Sequence, residues 1–130
     1  FVSRGRYIEL FKEMMSRIVT FQDEKGYWHA SLLDPASYPS PETSSTGFFT
    51  FALWWGINAG LLEEDIYLPY DRRGLEALVA SVQPDGMLGW VQPVGADPQR
   101  VTREMTEVYG AGAFMLTGRE IMLYLDRVRK

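Results

Sequence analysis

Between Phe48 and Ile57 the chain reads Phe-Phe-Thr-Phe-Ala-Leu-Trp-Trp-Gly-Ile, with an apolar residue on every face a helix could present. A helix of that kind is enclosed rather than half-wet, so the rest of the fold must wrap it. It is preceded by Ser40-Pro-Glu-Thr-Ser-Ser-Thr-Gly47, a cluster of hydroxyls around one carboxylate. Polar chemistry at the end of a core helix is the usual build of a ligand site, and equally of a simple helix cap. Serine before proline with an acid next places Ser40 as N-cap and Pro41 at the first helical position. A start two or three residues later, capped by Thr43 or Ser44, fits almost as well. Gly60 followed by Leu61 and Leu62 gives the stop.

The flanking segments repeat one theme. From Gly5 to Asp23, Tyr7, Ile8, Phe11, Met14, Met15, Ile18 and Val19 recur at helical spacing, opposite Glu9, Lys12, Glu13 and Arg17. A loop with Pro35, Pro39 and Pro41 leads into the enclosed helix. After a turn around Tyr67-Leu68-Pro69, Asp71 to Val82 forms a second amphipathic helix with Leu75, Leu78, Val79 and Val82 as its stripe. A second long loop, Met87 to Arg103, precedes a last helix from about Met105 to Val128. The N-terminal half of that helix, Tyr109 to Leu116, is small and apolar and reads as enclosed, with close helix contact. Its C-terminal end is charged and exposed. Phe21-Gln22-Asp23-x-x-Gly26-x-Trp28 corresponds to Val82-Gln83-Pro84-Asp85-Gly86-x-Leu88, and Asp34-Pro35 to Asp97-Pro98. An offset of about 60 residues in an all-helical chain points to stacked helical hairpins. Outer, inner, outer, inner is the order of an α/α toroid, and two such units make an arc of the ring: one all-α domain over residues 1–130. A closed ring needs more hairpins, and a chain that opens on Phe1-Val2 rather than Met fits an excised piece.

Composition bounds the function. Hydrophobic content of 46% excludes disorder, and a net charge of −4 without a basic block argues against nucleic acid. No apolar run is long enough to span a bilayer, and no signal peptide is visible, so no membrane partner is expected. With no cysteine and only His29, the chain builds no thiolate or histidine metal site, and no cofactor is expected. The compartment stays open between bacterial cytoplasm and periplasm.

If the inner helices run the same way, their N-termini and the long loops share one rim. Trp28, His29, Glu42 to Thr46, Trp90, Gln92, Arg100, Arg103 and Thr106 then face one mouth. Free N–H groups there favour an anion, hydroxyls add neutral donors, and rings stack on sugars. Each has a plainer reading beside it. Ser40, Thr43 and Ser44 could only cap, Trp28 and Trp90 could pack the loops, and Glu42 could complement the helix dipole. Trp54 and Trp55 read as core, His29 as a loop residue, and Arg100 and Arg103 as surface charges. No carboxylate pair has a spacing that demands catalysis, and no phosphate loop or Ser-His-Asp arrangement can be drawn.

The segments Pro41 to Leu62 and Tyr109 to Gly118, with the Gly26-x-Trp28 and Asp85-Gly86-x-Leu88 loops, resemble the C-terminal third of the unsaturated glycosyluronyl hydrolases, glycoside hydrolase families 105 and 88. One departure is Ser45-Thr46-Gly47, where that family more often has Gly-Thr-Ala. The resemblance implies a six-hairpin α/α toroid acting on lyase-generated oligosaccharides that end in a 4,5-unsaturated uronic acid. It implies hydration of the vinyl ether: an aspartic acid protonates C4, water attacks C5, and the hemiketal collapses. That acid lies upstream in the family, so no catalytic residue is assigned to this chain, which alone is expected to be inactive. Thr43, Ser44 and Thr46 match the family's hydroxyl motif and are the expected substrate donors, with Trp28 as a stacking ring. The partners implied are the unsaturated uronyl oligosaccharide and the remainder of the toroid, or a second copy. The alternative is a non-catalytic helical-hairpin module that binds a protein or carbohydrate.

Overall fold

A computed structural model describes residues 3–129; Phe1, Val2 and Lys130 lie outside it. Four helices carry the chain: α1 (Arg4–Ile18), extended by a 3-10 turn over Val19–Phe21, then α2 (Thr43–Asn58), α3 (Glu64–Ala80) and α4 (Val108–Val128). Among the described residues the only strand-like pairing is an isolated bridge between Val82 and Leu88. The expected all-α architecture is the observed one. α2 packs against both α3 and α4, and α1 reaches it through side chains, as where the Phe11 and Trp55 rings meet edge-on at 5.3 Å. Met15, Ile18, Val19, Trp28, Leu53, Ile57 and Leu62 form the core between α1, the first loop and α2.

Three helix starts depart from the leading sequence expectation. α2 begins at Thr43, the later of the two expected starts, but its cap is Glu42 and not Ser40, Thr43 or Ser44. The carboxylate accepts the Ser44 and Ser45 N–H groups, which outcompetes a serine hydroxyl two residues earlier. α3 begins at Glu64 and runs through Pro69 instead of starting after it. Proline removes the bond to the carbonyl four residues back, here Asp65. Both residues are exposed, so that carbonyl has water to turn to. α4 starts three residues later than expected, at Val108.

The internal repeat is structural, and through the two turns its register is 60 residues. In the first loop Asp23 N–H donates to Tyr27 O at 2.9 Å and Gly26 N–H to Asp23 O at 3.1 Å; in the second, Gln83 N–H donates to Met87 O and Gly86 N–H to Gln83 O, both at 2.8 Å. Gly26 and Gly86 take φ of 92° and 87°, a conformation only glycine adopts without strain. The residues two beyond them, Trp28 and Leu88, both plug the core.

Helices α2 and α4 approach closely, as the small residues predicted: a Cβ on Gly47 would sit 2.9 Å from that of Ala113. Neither helix is enclosed by the described residues, however. Phe48 and Trp55 are 45% and 42% exposed, and Val108, Met115 and Leu116 are exposed as well. Tyr7, Leu10 and Met14 on α1 are likewise bare. The arc thus has two apolar flanks, one along α1 and the end of α2, the other along α4.

Candidate functional site

The two long loops meet over the N-terminus of α2 and leave a cleft of about 570 Å³. It is lined by Glu42, Ser44 and Ser45, by the apolar Leu32 and Phe49, and by residues 92–98 and Tyr109. Glu42 organises it. Its side chain is buried, with the residue 4% exposed. Oε1 accepts from Ser44 N–H at 3.0 Å, Ser44 Oγ–H at 2.7 Å and Gln92 N–H at 3.1 Å, while Oε2 accepts from Ser45 N–H at 2.7 Å. One carboxylate therefore caps α2 and staples the second loop to it. The Thr43 N–H donates to Trp90 O at 2.9 Å. The Thr43, Ser44 and Ser45 N–H groups are thus all engaged. The expectation that this helix end offers N–H groups to a ligand anion does not hold, because the chain's own carboxylate occupies that position.

Of the four expected substrate residues, the structure places only Ser44 in the cleft. Thr43, Thr46 and Trp28 are fully buried. The Thr43 hydroxyl donates to Gly89 O at 2.7 Å and that of Thr46 to Glu42 O at 2.7 Å. Trp28 donates its indole N–H to Ile18 O at 2.8 Å and packs edge-on against Phe49 at 5.6 Å. Side chains with no surface and committed hydrogens cannot meet a sugar; they hold the two loops to α2. Ser45, the departure from the family's small residue, donates to Trp28 O and Glu42 O, both at 3.2 Å.

Trp90, Arg103 and Thr106 do not line the cleft, whereas His29 and Gln92 do. Trp90 sits at φ 60°, a left-handed backbone held because its carbonyl receives Thr43 N–H. Both ring nitrogens of His29 are engaged, Nδ1 with Ser40 O at 3.0 Å and Nε2 with Asp23 Oδ2 at 3.1 Å. The Gln92 amide, oriented to satisfy both partners, pairs with the backbone of Gln99, and the Tyr109 hydroxyl donates to Gln92 O. Burial, with the nearby carboxylates of Glu107 and Glu42, raises the Tyr109 phenol above its ordinary value, so it stays a neutral donor. A smaller chamber of about 310 Å³ adjoins at Ala30 and is lined by residues 37–41 and 99–101, including Arg100. Among the described residues no group of three or more His, Cys, Asp or Glu could hold a metal, and no helix is long and apolar enough to cross a membrane.

Glu42 and Tyr109 are the contributors that sequence reasoning undervalued. An acid beside a helix start is common, and only the fold brings Gln92, fifty residues on, to the same carboxylate.

Alternating outer and inner helices, with the loops gathered at the start of an inner helix, define an arc of an α/α toroid with a polar cleft at its rim. The chain belongs to glycosyl hydrolase family 88, whose profile matches residues 2–125. It is 42% identical over 119 residues to an unsaturated 3S-rhamnoglycuronyl hydrolase of Formosa agariphila, an alignment covering 92% of this chain and 32% of that protein. It superposes with a TM-score of 0.86 and 42% identity on a glycosyl hydrolase family 88 protein from Bacteroides vulgatus, over 91% of this chain and 35% of that one. A solved chain described as a polysaccharide lyase matches with a TM-score of 0.89 and 39% identity, over 95% and 36% of the two chains. This chain spans about a third of the length of each of these relatives.

Proposed function

We propose that this chain is the C-terminal part of an unsaturated uronyl hydrolase and supplies one wall of the pocket for the unsaturated sugar. The observation that carries the proposal is the cleft itself. Its volume lies within the range of small-molecule sites, about 300–1,000 Å³, and its lining combines the polar Ser44 and Tyr109 with the apolar Leu32 and Phe49. A sugar ring has the matching character, polar at its edges and apolar on its faces. Relatives named for action on unsaturated rhamnoglycuronyl compounds support the substrate class. Ser44 and Tyr109 are the proposed sugar contacts, accepting through partly exposed hydroxyl oxygens while their hydrogens go to Glu42 and to Gln92 O, with Thr43, Thr46 and Trp28 as their support.

The proposed reaction is hydration of the vinyl ether. A carboxylic acid from the rest of the protein gives a proton to C4, and the base it leaves takes one from water as the oxygen bonds C5. The C5 hemiketal opens to a ketone, and the hemiacetal left at C1 releases the neighbouring sugar. Glu42 is not that acid, since its two oxygens already accept four hydrogen bonds. Proton NMR of the reaction tests the route. Hydration removes the vinylic H4 signal in step with sugar release, whereas release of a monosaccharide that keeps H4 would overturn it.

A lyase reading draws on the solved relative of that description. It runs in the opposite chemical direction, creating the double bond instead of consuming it. The remainder of the toroid is the proposed cover for the two apolar flanks, with self-association as the outcome when that cover is missing.

A further inference from the structure

The Asp-Pro pair that recurs in the two long loops meets two different fates. Asp34 is spent within its own loop: its N–H donates to Ser31 Oγ at 3.2 Å, and its Oδ1 accepts from Ser37 N–H at 3.3 Å. Asp97, its counterpart in the second loop, is exposed and lines the cleft. Among the described residues its carboxylate accepts no hydrogen bond and enters no ion pair, and Arg100 lines the neighbouring chamber instead. The second loop does not use this carboxylate for its own shape, which leaves both oxygens for a ligand.

The rest of the lining decides what kind of ligand. The Ser44 hydroxyl hydrogen goes to Glu42, that of Ser45 is shared between Trp28 O and Glu42 O, and that of Tyr109 goes to Gln92 O. The Gln92 amide is taken up by the Gln99 backbone, and both His29 ring nitrogens are engaged. Neither Lys nor Arg lines the cleft. Its side chains therefore offer lone pairs, while their hydrogens are already placed. A group that fits against them donates hydrogens and carries no negative charge. The hydroxyl edge of a sugar meets that demand; a sugar carboxylate does not.

We propose that Asp97 is a substrate-binding residue that accepts from the vicinal C2 and C3 hydroxyls of the unsaturated ring and thereby sets its orientation. The inference rests on the uronyl reading of the cleft and deepens it. A terminal 4,5-unsaturated uronide has its free hydroxyls at C2 and C3 and its carboxylate on C5, across the ring from C2. The two oxygens of one carboxylate match two adjacent hydroxyls, each bond charge-assisted. Held by that edge, the ring turns its C5 carboxylate away from Asp97, where like charges would repel. C4 and C5 then face the rest of the protein, from which the proposed acid comes.

The test uses the complete protein and an aryl uronide, which has no neighbouring sugar. Equilibrium binding is measured on the uronide with its double bond reduced, so that it is not consumed, and on versions lacking the C2 or the C3 hydroxyl. Turnover is measured on the unsaturated form. The unmodified protein should bind each deoxy ligand about tenfold more weakly, as for loss of one hydrogen bond to a charged acceptor. Asp97→Ala should weaken the full ligand by about tenfold or more and bind all three alike. A merely structural role for the loop would shift the three together. KM should rise with a smaller change in kcat, and Asp97→Asn, which keeps one acceptor oxygen, should recover part of the loss. Equal binding of the three ligands by the unmodified protein would overturn the assignment, even if the variants fail to fold. So would the same preference in Asp97→Ala, or tighter uronide binding by Asp97→Asn, which would put the carboxylate beside Asp97. Normal turnover without this coupling counts against Asp97 alone, whereas a protein that neither binds nor consumes the uronide overturns the uronyl reading and Asp97 with it.

Discussion

Asp71 lies fully buried on α3 with no hydrogen-bond partner for either oxygen; Thr50 Oγ1 and Trp54 Nε1 on the facing α2 are also unpartnered. α2 and α3 form an antiparallel hairpin in which Gly74 abuts Thr50, a Cβ there falling 2.2 Å from the hydroxyl. Burial pushes the Asp71 carboxyl up to about 9, so it is a neutral acid in the folded protein at pH 7. The folded pKa lies above the unfolded one. Between them the native state holds a proton that the unfolded chain has lost, so stability falls as pH rises. The slope is about 1.4 kcal/mol per pH unit, or about 3 kcal/mol from pH 5 to pH 7. Asp71→Asn keeps the shape and removes the proton, and should erase that slope. Urea unfolding followed by tryptophan fluorescence, at pH 5, 6, 7 and 8 on the complete protein, measures it. The variant should gain on the parent by about 1 kcal/mol or more per pH unit over that range. Parallel curves for the two proteins would refute the argument, because they would mean that Asp71 is ionised and paired.

Three further outcomes follow from the same geometry. Glu42→Gln replaces one acceptor oxygen by a donor facing N–H groups, and should cost about 1–3 kcal/mol of stability by denaturant unfolding; no loss would mean that the four hydrogen bonds are not formed. Ser44→Ala should leave stability within about 1 kcal/mol, since only one intramolecular hydroxyl bond goes, yet raise KM for the unsaturated oligosaccharide; an unchanged KM removes Ser44 from the sugar contacts. The isolated 130-residue chain should associate through its bare flanks, and polar replacements at Met115 and Trp55 together should reduce that association in sedimentation velocity. A monodisperse parent chain would show that the flanks need no cover.

Much of the fold was legible because periodicity reports burial along one helix. The stripe of α1, the all-round apolarity of α2 and the small residues of α4 gave the outer–inner order, and the two Gly-centred turns gave the repeat. Local competition hid the boundaries. Ser40-Pro41 is a sound start signal, but Glu42 offers two oxygens where serine offers one. Pro69 reads as a break, and only its exposed position beside Asp65 lets the helix continue. The site was harder to read because its burial is set at a distance. Gly89 and Trp90 of the second loop close over Thr43, which turns a plausible sugar donor into a strut. Trp28 vanishes into the core because Ile18 O is there to receive its indole N–H. The enclosed look of α2 and α4 was legible, but the residues described here leave one flank of each bare.

The cleft around Glu42 is proposed to belong to an enzyme that consumes an unsaturated uronyl end. Ultraviolet absorbance of the C4=C5 bond tests it most directly, with the complete protein on oligosaccharides made by a lyase and, separately, on the uncut polysaccharide. Absorbance should decay on the oligosaccharides, more slowly for Ser44→Ala at low substrate, and stay flat on the polymer. A rise on the polymer would assign the protein to the lyases instead, and a flat trace on both would contradict the uronyl reading.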